Sequence, residues 1–187
     1  MIVLTGPSAS GKTETAKYLM DHYGFNKVIT CTSRTPRTGE RQDVDYHFLT
    51  EEQFAEGIKN GEFLETAEYN GHMYGTKLAD IGPDKVVCVE PRGARSYREA
   101  LGDTMFCAYL DASEETRLKR MIEIRKDGER AARERIERDR IVYSDDFRSC
   151  QGISDVLFRT DEWTVEKEAS EVFKAYQIWK RERANRK

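Results

Sequence analysis

Short apolar runs alternate with stretches of helical period along most of this chain. Ile2-Val3-Leu4 precedes a helix predicted over Thr13 to Tyr23, Lys85 to Val89 precedes one over Arg92 to Leu101, and Met105 to Leu110 precedes one over Glu114 to Arg125. That alternation predicts an α/β core, a parallel sheet with crossover helices on its faces. A late strand, Asp155 to Phe158, and a closing helix, Val165 to Trp179, complete it. On the closing helix Val165, Ala169, Val172, Phe173, Tyr176 and Trp179 share one face, which places its aromatic residues in the core. Between Arg34 and Thr76 the pattern breaks into short polar strands, turns and one brief helix opened by Thr50-Glu51-Glu52-Gln53, a capping box. This region is expected to be an inserted subdomain, residues 34–76, with 1–33 and 77–187 as the core.

Length and charge narrow the class of partner. A chain of 187 residues suits one compact domain with an insertion or lid, expected as a monomer or weak homo-oligomer. Its net charge of -3 argues against nucleic acid and for a small anionic ligand. Cys31, Cys88, Cys107 and Cys150 lack metal or redox spacing, and Cys88 and Cys107 sit in apolar runs, so buried free thiols and a reducing cytoplasm are expected. No apolar stretch approaches the ~20 residues needed to span a bilayer, and the first strand begins beside Met1, so neither a membrane span nor a leader is expected. Lys180 to Lys187 reads as a solvated, charged end.

Immediately after the first strand, Gly6-Pro7-Ser8-Ala9-Ser10-Gly11-Lys12-Thr13 matches the phosphate-cradling pattern G-x-x-x-x-G-K-[ST] in a strand, loop and helix context. Glycines let the backbone wrap phosphate oxygens with its N–H groups, while the helix's positive end faces the anion. Lys12 would reach the outer phosphates, and Thr13 would offer its hydroxyl to a Mg2+ ion bridging them. A nucleoside triphosphate such as ATP is the expected ligand of residues 6–13.

The insertion carries a second constellation: Thr32-Ser33-Arg34-Thr35-Pro36-Arg37-Thr38-Gly39-Glu40, Asp45-Tyr46-His47-Phe48, Gly61-Glu62-Phe63-Leu64-Glu65 and Tyr74-Gly75-Thr76. In these ordered motifs the chain resembles a guanylate kinase, densely from residue 1 to about 76 and more thinly afterwards. The resemblance implies a phosphate-loop core and a small mixed-sheet insertion that closes over GMP. The residue chemistry agrees. Arg34 and Arg37 carry guanidinium forks suited to a phosphate dianion, and Tyr46 and Tyr74 can donate phenolic hydrogen bonds to it. Glu65 can accept from both N1–H and the exocyclic amine of guanine, whereas adenine presents an acceptor at N1. Thr76 could donate to the guanine carbonyl, and Thr30 falls where the family has a serine near the base.

Two positions depart from the family pattern. Cys88 and Glu90 stand where an Asp-x-Asp is usual, leaving Glu90 as the remaining acidic candidate on the GMP side. Ala9 stands where another glycine is common, and alanine tolerates positive φ less well. The arginine-rich segment from about 120 to 140, broken at Asp127-Gly128, resembles a mobile lid. Arg120 and Arg135 match the family's phosphate-contacting lid arginines best; most of the other arginines suit a solvated face of i to i+4 ion pairs.

Together these features suggest in-line transfer of the ATP γ-phosphoryl group to GMP, and by extension dGMP, with Lys12, Arg34, Arg120 and Arg135 carrying the catalysis. The acceptor phosphate is ionised near neutral pH, so no strong base is required, and His22, His47 and His72 receive no catalytic role. Two other readings stay open: a kinase of the same fold acting on another phosphate ester, and a noncatalytic interaction module of the guanylate kinase type.

Overall fold

The computed structural model describes residues 1–69, 71–144 and 152–185. Cys150, Asn70 and the last two residues of the charged end lie outside them.

Five parallel strands form the main sheet: β1 (Ile2–Thr5), β2 (Asn26–Lys27), β7 (Lys85–Cys88), β8 (Phe106–Asp111) and β9 (Val156–Arg159), in the order β2-β7-β1-β8-β9. Alternation along the central strands divides the core into two faces. Ile2 and Leu4 of β1, with Phe106, Ala108 and Leu110 of β8, face α1 (Lys12–Tyr23) and α6 (Val165–Ala184), where Leu19, Ala169, Val172 and Tyr176 are buried. Val3, Val87 and Cys107 face the other way, onto Ala94 and Tyr97 of α3 (Pro91–Leu101). With β1 central, the loop leaving its carboxyl end opens at the crevice where α/β sheets hold ligands.

The second sheet has the order β4-β3-β6-β5, from β3 (Cys31–Thr32), β4 (His47–Phe48), β5 (Phe63–Tyr69) and β6 (His72–Lys77). It therefore takes in Cys31 and Thr32, a few residues ahead of the boundary expected at 34. Within it α2 (Glu51–Lys59) opens with the expected reciprocal cap: Gln53 N–H donates to Thr50 Oγ1 at 3.2 Å and Thr50 N–H to Gln53 Oε1 at 2.9 Å. Its Phe54 stacks on Phe63 at 4.5 Å and closes this smaller core.

Over the loop lie α4 (Glu114–Lys119), a π-helical turn at Arg120–Ile124 and α5 (Glu129–Ser144). The single helix expected to Arg125 thus ends as α-helix at Lys119, where the turn widens so that Arg125 N–H donates to the Arg120 carbonyl at 3.1 Å. Two burial expectations fail. Val165, at the first position of α6, lies at the edge of the apolar stripe and is exposed. Cys88 is exposed because β7 ends there, at the mouth of the crevice, whereas Cys31 and Cys107 are buried.

Candidate functional site

The loop from Gly6 to Thr13 is shaped by close approach at both of its glycines. A Cβ on Gly6, at φ 139, would lie 1.9 Å from the Leu110 carbonyl oxygen, and one on Gly11, at φ 112, would lie 1.9 Å from Glu168 Oε1. Only glycine fits where the loop passes β8 and α6 so tightly. Ala9 completes the curve at φ 60, a left-handed conformation that costs an L-residue about 1–2 kcal/mol. Its methyl group is buried against Met121, Ala132 and Ile136, so packing from the helices above holds the strained residue in place. Gly11 caps α1, directing that helix's positive end into the loop.

Lys12 arches back across the loop, its Nζ donating to the Gly6 carbonyl at 2.6 Å and the Pro7 carbonyl at 2.8 Å. Burial holds the ammonium below its ordinary pKa, with Cys88 and Asp139 opposing the shift. Thr13 is exposed on the first turn of α1, open to the crevice. Among the described residues no cluster of three His, Cys, Asp or Glu side chains could hold a metal. The exposed Thr13 hydroxyl suits an ion such as magnesium, which takes one or two protein oxygens and completes its shell with phosphates and water.

The arginine-rich segment docks directly onto this loop. Arg120 donates to the Ala9 carbonyl and the Thr160 hydroxyl at 3.2 Å each, and to the Thr160 carbonyl at 2.5 Å. Arg135 pairs with Asp127 at 3.4 Å and lines a cleft with Ser8, Glu90, Arg138 and Asp139. Arg130 and Arg133 make exposed i to i+4 pairs with Glu134 and Glu129, the solvated-face role expected for most arginines here.

Residues that the sequence did not single out secure the loop. Asp139 of α5 accepts from the Ser8 N–H at 2.8 Å and the Ser8 hydroxyl at 3.1 Å, and pairs with buried Arg117 at 2.7 Å. Tyr143 donates to the Gly6 carbonyl at 2.6 Å. Beneath the loop, the Thr15 hydroxyl donates to Glu168 Oε1 at 2.7 Å. Helical spacing held the signal: Ala132, Ile136, Asp139 and Tyr143 lie on one face of α5, and Glu168 falls among Val165, Ala169 and Val172 on α6.

Burial pushes the Glu168 carboxyl from its ordinary 4.5 up to about 7, against the opposing pull of Thr15, Arg120 and Lys12. Between these values the unfolded chain releases its proton while the folded chain retains it. Stability contributed by this group is therefore full below about pH 4.5 and is lost as pH rises through about 7. Glu168→Gln keeps an acceptor for Thr15 and removes the titration. We expect its thermal midpoint to match the wild type at pH 4.5 and to exceed it at pH 8; an equal offset at both would refute the assignment.

In the second sheet the phosphate-directed candidates gather around Arg34. Its guanidinium donates to Glu40 at 2.8 Å and to the Thr35 carbonyl at 2.7 Å, and lies 5.7 Å from the Tyr46 ring centroid. The Tyr46 and Tyr74 rings meet edge-on at 6.3 Å. Arg34 Nε is buried with no partner among the described residues, a donor that suits a bound anion. Arg37 reaches the cluster only through its backbone N–H, which donates to Glu40 at 2.7 Å; its side chain is exposed. Glu40 thus stands in the place where a phosphate would compete for Arg34.

At the base-directed end Glu65 and Thr76 are cross-strand partners on β5 and β6, and the Thr76 hydroxyl donates to Glu65 Oε1 at 2.8 Å. Burial raises the Glu65 pKa, an effect that the Thr76 bonds oppose. The proton expected for a guanine carbonyl rests instead on the neighbouring carboxylate. Thr30 lines another cleft with Thr13, Lys27, Tyr46 and Cys88, and Glu90 lies exposed at the start of α3. Among the described residues, neither touches the Glu65–Thr76 pair through a hydrogen bond.

Comparison with known proteins places this geometry among relatives. A family model described as guanylate kinase matches residues 1–151. A guanylate kinase from Clostridium perfringens (strain 13 / Type A) is 37% identical over 129 residues, covering 65% of this chain and 60% of that protein. One from Legionella pneumophila (strain Paris) is 31% identical over 165 residues and 79% of each chain. Against the Clostridium relative the chain spans less than two thirds of its length. The crystal structure of guanylate kinase from Anaplasma phagocytophilum matches with a TM-score of 0.67 at 19% identity, covering 95% of this chain and 84% of that one, a likeness of fold.

Proposed function

The chain belongs to the guanylate kinase family, and from that premise we propose that it transfers the γ-phosphoryl group of ATP to GMP, giving ADP and GDP. The observation that carries this reading is the paired Glu65 and Thr76, a guanine-reading carboxylate and hydroxyl on a sheet that also bears the Arg34, Tyr46 and Tyr74 cluster. The insertion, residues 34–76, is read as the GMP-binding unit and the segment from about 120 to 140 as the lid. The reaction fits a cytoplasmic role in purine nucleotide metabolism.

In this mechanism the loop from Gly6 to Thr13 holds the ATP phosphates and Lys12 leaves the Gly6 and Pro7 carbonyls to meet charge on the transferring group. Arg34 exchanges Glu40 for the GMP phosphate, with Arg37, Tyr46 and Tyr74 around it. Arg120 and Arg135 meet the phosphates from the lid side, and Thr30 and Glu90 complete the acceptor's surroundings. Thr13 would hold magnesium together with the ATP phosphates, and that ion supplies neutralisation of their negative charge. Transfer is direct, since the acceptor oxygen is already ionised and needs no covalent relay.

A coupled assay of ADP release across GMP, dGMP, AMP, CMP and UMP tests the proposal. GMP is expected to lead AMP by about 10⁴ in kcat/KM, with dGMP close to GMP. Preference for another acceptor, or no turnover with magnesium ATP and GMP, would overturn it.

A further inference from the structure

We infer that Tyr97 of the core helix α3 is a positioning residue for base recognition, fixing Thr76 as a hydrogen-bond donor and thereby sharpening the choice of guanine over adenine. The inference rests on the guanylate kinase reading and assigns a function to a residue outside the acceptor motifs.

The polarity follows from counting protons. Glu65, when ionised, can only accept, so the 2.8 Å contact between Thr76 Oγ1 and Glu65 Oε1 uses the single proton of the threonine hydroxyl. The 2.9 Å contact between Tyr97 and Thr76 Oγ1 must then carry the tyrosine proton. Donation runs one way, from Tyr97 to Thr76 to Glu65. Tyr97 is 0% and Thr76 1% exposed, so water does not compete for the bond between them. Burial also pushes the Tyr97 phenol up, which keeps it protonated and able to donate.

This arrangement has a chemical consequence at the base. Tyr97 occupies one of the two lone pairs of Thr76 Oγ1, so the hydroxyl keeps its proton and one lone pair for its other partners. When guanine supplies N1–H and its amine to Glu65, that proton is released to turn toward the 6-carbonyl while Tyr97 retains the oxygen. The 6-amino group of adenine is itself a donor, and the Tyr97 and Glu65 contacts leave it a single lone pair of Thr76 Oγ1, in a direction already fixed by those two bonds. Without Tyr97 both lone pairs and the rotation of the hydroxyl are free, so it turns more readily to accept from that amine. The rung also joins α3 of the main core to β6 of the second sheet, so the base-reading pair is anchored from outside its own sheet.

The test is steady-state kinetics of the purified full chain and Tyr97→Phe, which removes only the hydroxyl. The KM for GMP is expected to rise about three- to tenfold, and the ratio of kcat/KM for GMP over AMP to fall about tenfold, with the KM for ATP unchanged. In a Thr76→Val background, where the acceptor is gone, Tyr97→Phe should add no further change, because contacting residues that act through one another are not additive. A lowered thermal midpoint with wild-type KM for GMP and wild-type discrimination would overturn the inference, as would a full additional effect in the Thr76→Val background. If the wild type itself fails to phosphorylate GMP, the underlying reading falls before any variant is made, so the two failures are distinguishable.

Discussion

Lys12→Ala is expected to lower kcat for phosphoryl transfer to GMP by about 10²–10³, the loss typical of removing one preorganised charge from a transition state. The ammonium lies at the loop's centre and reaches the Gly6 and Pro7 carbonyls, from which a triphosphate would draw it. Partial burial raises its worth, since a charge facing developing negative charge in a water-poor site is weakly screened. The same bonds give Lys12 a structural share in holding the loop, so the variant needs a fold control. Thermal unfolding should show a small loss beside the large kinetic one. A variant that retains wild-type kcat would remove the loop from the reaction altogether.

Glu65→Gln is expected to have the second large effect, a fall of about 10³ in kcat/KM for GMP with a much smaller change in the KM for ATP. Glutamine retains one acceptor but sets an amide N–H₂ against one of the two guanine donors, leaving buried donors facing each other. The present Thr76 bond can survive, because the glutamine carbonyl can accept from Thr76 as the carboxylate does. The defect should therefore follow the acceptor rather than the fold. Measured against AMP, the variant should lose most of the discrimination that the wild type shows; indifference to the substitution would place base recognition elsewhere.

Features of this molecule differ in how legible they were from sequence, and the difference is one of distance along the chain. The phosphate loop is eight consecutive residues whose backbone constraints are written in their own glycines, and its position after β1 follows from strand and helix periods. Arg34 and Tyr46 lie between the parallel strands β3 and β4, Glu65 and Tyr74 on the antiparallel pair β5 and β6, and only their order as a motif set pointed to a shared site. Glu168 and Asp139 were missed because a lone acid on a helix is ordinarily solvated. Their partners, Thr15 and Ser8, stand 153 and 131 residues away. The apolar face of each helix did contain the acid at the right spacing; what lay outside the sequence was the polar group waiting opposite. Cys88 erred the other way, since an apolar strand run gives no sign of where the strand emerges into a crevice.

Ala9 shows that the loop is not a self-contained module. Its left-handed φ of 60 is held by a methyl seated among Met121, Ala132 and Ile136, more than a hundred residues downstream. Lifting the helices that carry those side chains would remove the packing that offsets the strain, and the loop would relax toward a different curve. The donor cradle is thus assembled by the cover that lies over it, and a graft of residues 6–13 onto another scaffold would carry the sequence without its shape.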